Sequence, residues 1–76
     1  MEGFGARLEH SRRRQLMTQA ELATKAGLSL IQVARLENNP APNPRASTVK
    51  ALARALELDP AWLLFGDEDE MGKAVA

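Results

Sequence analysis

Thr18–Glu37, TQAELATKAGLSLIQVARLE, decides how this chain is read. Thr18 followed by Glu21 predicts a capping box, in which the hydroxyl accepts from the Glu21 N–H and the carboxylate reaches back to the Thr18 N–H. Ser29 followed by Gln32 repeats the device eleven residues later. Two helix starts that close together leave room for one short helix between them. Gly27 stands where that helix must end, at a position that commonly needs a left-handed backbone. Leu22, Ala23 and Ala26 supply an apolar stripe to the first helix, and Val33 and Leu36 supply one to the second. Ala20, Ala23 and Ala26 are small enough for the two helices to cross closely.

Two short helices joined by a tight turn have the shape of a helix-turn-helix, whose second helix can enter a DNA major groove. The residues themselves resemble the XRE-type helix-turn-helix family of phage repressors, Cro proteins and controller proteins. The match is carried by Thr18-Gln19-x-Glu21-Leu22-Ala23, then Gly27, then Val33 and Leu36-Glu37-Asn38, and it extends from about Phe4 to Gly66. The resemblance implies an all-α, compact five-helix, lambda-repressor-like domain over residues 1–66, with its helix-turn-helix at 18–37. An acidic tail is expected over 67–76.

The flanks agree with helices. Phe4 and Leu8 form an inward pair in a helix expected over Phe4 to Arg14. Arg12 continues that face and needs a partner. In the resembling family an Arg at the end of the first helix pairs with the Glu that closes the recognition helix, here Arg12 and Glu37. Arg13 reads as a solvated charge. Ser11 and Leu16 depart from the family, which favours Leu and Gly there; Leu16 leaves the link to turn without its usual positive-φ residue. Met17 precedes the Thr18 cap in the hydrophobic-staple position.

Pro40, Pro42 and Pro44 stop any helix after Asn38. Ser47 or Thr48 is expected to cap a fourth helix, with Val49, Leu52, Ala53 and Leu56 as its buried stripe. Asp59-Pro60 is a cap followed by a proline at the first helical position, opening a fifth helix that Gly66 closes.

Composition narrows the function classes. Seventy-six residues form one small domain with a marginal core, and the chain has no Cys, hence no disulfide staple and no thiolate zinc site. With no apolar run near the ~20 residues of a membrane span, no membrane association is expected. The lack of Cys fits a reducing cytoplasm, and the resemblance implies a cytoplasmic protein of a bacterial nucleoid or encoded by a phage. The formal net charge is zero, yet residues 1–66 hold nine Lys/Arg against six Asp/Glu, a balance of +3, because residues 67–70 are all acidic. The one His, His10, has no Cys or second His to share a metal with. Gly3 and Gly5 make no phosphate loop, since no strand precedes them. No enzyme activity, cofactor or small-molecule ligand is expected.

The partner expected is double-stranded DNA. In the resembling proteins the start of helix 2 abuts phosphates, which implicates Thr18 and Gln19; the Gln19 amide either donates to a phosphate or braces the recognition helix. Gln32, Asn38, Arg45 and, more loosely, Lys50 complete the phosphate set. Asn38 reads equally well as a helix C-cap. Ser29, Leu30, Ile31, Ala34 and Arg35 occupy the base-reading positions. Leu30 and Ile31 depart from the polar residues expected there. They can pack on thymine methyl groups, while Arg35 can bond guanine O6 and N7. An alternative keeps the same fold: Leu30, Ile31 and Ala34 form an apolar patch of an antitoxin-like protein-interaction module, or Leu30 tucks against the Pro40–Pro44 loop. A homodimer is expected, since one recognition helix covers few base pairs. Trp62, Leu63, Leu64 and Phe65 exceed what so small a core can bury. Trp62 is assigned to the core, and Leu63, Leu64 and Phe65 are the dimer candidates, the last two foremost.

Overall fold

The computed structural model describes residues 3–39 and 43–66. The proposed tail at 67–76 and the prolines Pro40 and Pro42 lie outside these described residues. Among the described residues five helices follow in order: α1 (Phe4–Arg14), α2 (Gln19–Ala26), α3 (Leu30–Asn38), α4 (Ala46–Leu56) and α5 (Pro60–Phe65). α2 packs on α3 and α4, while α1 braces α3 from the other side and reaches α5, which also rests on α4. Leu8, Leu22, Val33, Leu52, Leu56 and Leu63 are the largest fully buried side chains, so all five helices meet in one core. Fully burying such a side chain contributes roughly 1.5–3 kcal/mol relative to leaving it in water.

Three of the helices end in the same way. After α1, the Leu16 N–H donates to Arg13 O (2.9 Å) and the Met17 N–H to Arg12 O (3.2 Å). After α2, Gly27 and Leu28 repeat the pattern on Thr24 and Ala23; after α4, Glu57 and Leu58 repeat it on Arg54 and Ala53. Each is a Schellman turn, which needs one residue with positive φ. Gly27 takes φ 75° without strain, but Leu16 and Glu57 are both held at φ 58°. The α1–α2 link therefore keeps the turn that a glycine would favour and holds a leucine in it, 91% exposed.

The start of α4 corrects the sequence reading. Arg45, not Ser47 or Thr48, is the N-cap, and it makes no side-chain cap. Helical backbone begins at Ala46, directly after the extended Pro44-Arg45 segment, so both hydroxyl residues fall inside the first turn. Asp59 caps α5 by accepting from the Ala61 N–H (3.1 Å), with Pro60 at the first helical position.

Candidate nucleic-acid interface

α2 and α3 are both opened by complete capping boxes. Thr18 Oγ1 accepts from the Glu21 N–H (3.0 Å) and Glu21 Oε1 from the Thr18 N–H (2.7 Å). Ser29 Oγ accepts from the Gln32 N–H (3.1 Å) and Gln32 Oε1 from the Ser29 N–H (2.9 Å). With Gly27 between them at φ 75°, local bonds define where α2 ends and α3 begins. Ala23 is buried against the core, whereas Ala20 faces solvent and takes no part in the crossing.

Glu37 anchors the far end of α3. Arg12 Nε donates to Glu37 Oε2 at 2.6 Å and the Arg12 NH2 group to Oε1 at 3.0 Å, a two-pronged pair between side chains that are 10% and 1% exposed. The third guanidinium nitrogen donates to Met17 O (2.7 Å). Gln19 Nε2 adds a bond to Glu37 Oε1 (2.9 Å). One buried carboxylate thus ties α1, α2 and α3 together. The hydrogen bond from Arg12 to Glu37 raises the Arg12 pKa against the opposing effect of burial. Gln19 braces the recognition helix and still has a second amide N–H to offer.

The opposite face of α3 is open. Ile31 is 66% exposed and Leu30 50%, with Arg35 and Asn38 exposed further along the helix. Ala34 is half-buried, so the apolar patch is narrower than the sequence implied. Asn38 is the last helical residue, and the C-cap position belongs to Asn39. Beside this face runs a groove lined by Gln32, Arg35, Leu36, Pro44, Arg45, Ser47 and Thr48. It brings the side chain of Gln32 to the start of α4, where Arg45 leaves the first-turn N–H groups without a side-chain cap. Lys50 is exposed one turn further along α4.

Comparison with known proteins matches the Helix-turn-helix family model to residues 8–63, nearly the whole described length. The chain belongs to the XRE-type helix-turn-helix family. A curated relative, the HTH-type transcriptional repressor RghR of Bacillus subtilis, is 35% identical over 65 residues, covering 86% of this chain and 48% of that protein. The chain spans about half the length of the curated relatives it matches. Among solved structures, the P22 c2 repressor in complex with a synthetic operator superposes with a TM-score of 0.80 at 28% identity, covering 88% of this chain and all of that one. The restriction–modification controller protein C.AhdI of Aeromonas hydrophila gives 0.74 at 31% identity, over 80% of this chain and 91% of that one.

In this XRE-type domain the surface charge is distributed differently from the sequence count. Arg7 is buried, and its Nε and NH2 groups donate to the carbonyls of Leu63 (3.0 Å) and Leu64 (2.7 Å). A guanidinium suits those carbonyls, which lie at the negative end of α5. Burial lowers the Arg7 pKa. Arg12 is internal too, but Glu37 is buried with it and cancels its charge, so Arg7 alone lowers the available balance, from +3 to +2. Arg13 pairs with Glu9 at 2.7 Å on the open surface, a contact of little energetic weight.

Leu63 is a correction. It is fully buried in the domain's own core beside Trp62, so it is withdrawn from the dimer candidates. Leu64 is half-buried and Phe65 is 77% exposed. Three structural residues escaped the sequence reading. Gly5 is a contact point rather than a spacer, because a Cβ there would lie 2.6 Å from Leu36 O and 2.8 Å from Glu37 O. Arg7 holds α5, and Gln15 Nε2 donates to Leu56 O (2.7 Å) at the end of α4. The only sequence signal was position: Gly5 stands three residues before Leu8, and Arg7 stands three after Phe4 and four before Ser11, at opposite edges of the buried side of α1.

Proposed function

We propose that this domain binds double-stranded DNA sequence-specifically, with α3 in the major groove, and acts as a homodimeric, repressor-like transcriptional regulator in a bacterial cytoplasm. The observation that carries the reading is the two-sided build of α3. One side is locked to α1 and α2 through Glu37, and the other presents Leu30, Ile31 and Arg35 to solvent. A helix that must hold base edges in register needs that rigidity. The relatives support it: RghR is named a transcriptional repressor, and the P22 c2 structure contains an operator.

Phosphate contacts on this reading come from both flanks. Thr18 and Gln19 lie at the start of α2; Gln32, Arg45 and the first-turn N–H groups of α4 line the adjoining groove, with Asn38 and Lys50 nearby. Arg35 is the polar base reader. Leu64 and Phe65 at α5 are the surface on which two copies meet, since half-sites spaced about 34–36 Å apart require two recognition helices.

The exposed Leu30–Ile31 pair favours one other reading, a protein-interaction module of the same fold. Selection from a random duplex library, followed by binding at two salt concentrations, separates the two. A palindromic site with half-sites about one turn apart is the expected result. Weak, sequence-blind binding that disappears as salt rises would reject sequence reading and leave the apolar face of α3 to a protein partner.

A further inference from the structure

We infer that the first turn of α3 reads the 5-methyl groups of pyrimidines, so that 5-methylcytosine replaces thymine at the bases beneath Leu30 and Ile31. The inference rests on α3 being the major-groove helix and names what that helix recognises. Between Ser29 and Ala34 only Ser29 and Gln32 carry polar side-chain atoms. Ser29 Oγ and Gln32 Oε1 accept in the reciprocal cap, which fixes both side chains at the helix start and leaves the Ser29 O–H and the Gln32 amide as donors, and Gln32 lines the groove beside α4. Ala34 has no polar side-chain atom and is half-buried. The exposed surface of this turn is dominated by the two hydrocarbon side chains, Leu30 and Ile31.

Hydrocarbon does not discriminate between donors and acceptors, because it pairs with neither. The one apolar group on the major-groove edges is the thymine methyl at C5. Cytosine methylated at C5 carries the same methyl at the same ring position, and differs at the exocyclic group that Leu30 and Ile31 cannot address. Removing one buried methyl weakens binding about fourfold per half-site, and about fifteenfold when both half-sites of a dimer lose it.

The test uses the unmodified chain and three random duplex libraries. One contains thymine and cytosine, one has uracil in place of thymine, and one has uracil and 5-methylcytosine in place of thymine and cytosine. The first library is expected to yield thymines at two positions next to a guanine. In the second, those positions lose their preference while the guanine remains. In the third, 5-methylcytosine takes the places thymine held. The L30A/I31A variant should lose the methyl preference and keep the guanine; both side chains are exposed, so its fold is not at risk. The same consensus from thymine and uracil libraries would overturn methyl reading while leaving DNA recognition standing. No enrichment from any library would overturn the DNA reading itself, and this inference with it.

Discussion

Gly5→Ala separates local helix preference from tertiary packing. By local preference alone the change should help, since alanine is favoured over glycine by ~0.5–1 kcal/mol in a helix, and by less in a first turn. Packing opposes it. The new Cβ would stand 2.6 Å from Leu36 O and 2.8 Å from Glu37 O, whereas ordinary contacts begin at 3.4 Å. Both atoms are backbone, so α3 must retreat by about 0.8 Å, because rotating a side chain relieves nothing. Overpacking of this kind costs about 1–3 kcal/mol, which exceeds the helical gain. The expected net loss is about 1–2 kcal/mol, or roughly 5–15 °C in Tm for a domain of this size. Urea and thermal denaturation measure it, with Ala6→Gly at the exposed neighbouring position calibrating the helix-preference contribution. The displaced backbone belongs to the helix proposed to enter DNA, so affinity should fall by more than the stability loss explains. A Gly5→Ala protein that melts higher than the parent would show that α1 and α3 do not approach as closely as described.

Leu16→Gly should stabilise the domain by about 0.5–1 kcal/mol, because it relieves a left-handed leucine costing about 1–2 kcal/mol and gives back part of that in unfolded-chain entropy; a lower midpoint in urea would contradict the strained turn. Glu37→Leu should destabilise by about 3–5 kcal/mol by stranding the Arg12 charge, and adding Arg12→Met should restore much of the loss. A single variant as stable as the parent would mean that the pair is not desolvated. Arg45→Ala should weaken binding to every sequence alike and reduce the salt slope by about 0.9 per protomer, and an unchanged slope would remove Arg45 from the phosphate contacts.

The elements legible from sequence are those whose causes are local. Both capping boxes need only a residue and its third neighbour, and both sit where the spacing put them. Gly27 could be assigned because a left-handed position is a property of one residue. Leu16 is the counterexample within the same rule. The turn after α1 keeps its geometry with an unsuitable residue, because Met17 packs against the core and its carbonyl is held by Arg12, which fixes the chain on the far side. The α4 cap failed for a related reason. Ser47 and Thr48 had the right chemistry for a cap, but the extended Pro44-Arg45 segment lets helical geometry begin two residues earlier than a Ser47 cap would allow.

Sequence by itself determined the described helices, their order and the turn between α2 and α3, which follow from periodicity and from bonds spanning three to five positions. The reading face was assigned by the family resemblance, and packing then half-buried Ala34 within it. Tertiary structure alone decided that Gly5 is a contact, that Arg7 caps α5 some fifty-six residues away, that Gln15 closes α4, and that Leu63 belongs to the core rather than to a partner. Those outcomes depend on which helix lies opposite which. A guanidinium or a leucine has the same local chemistry in either setting, and only the packed neighbour determines whether it faces water, a carbonyl or another side chain.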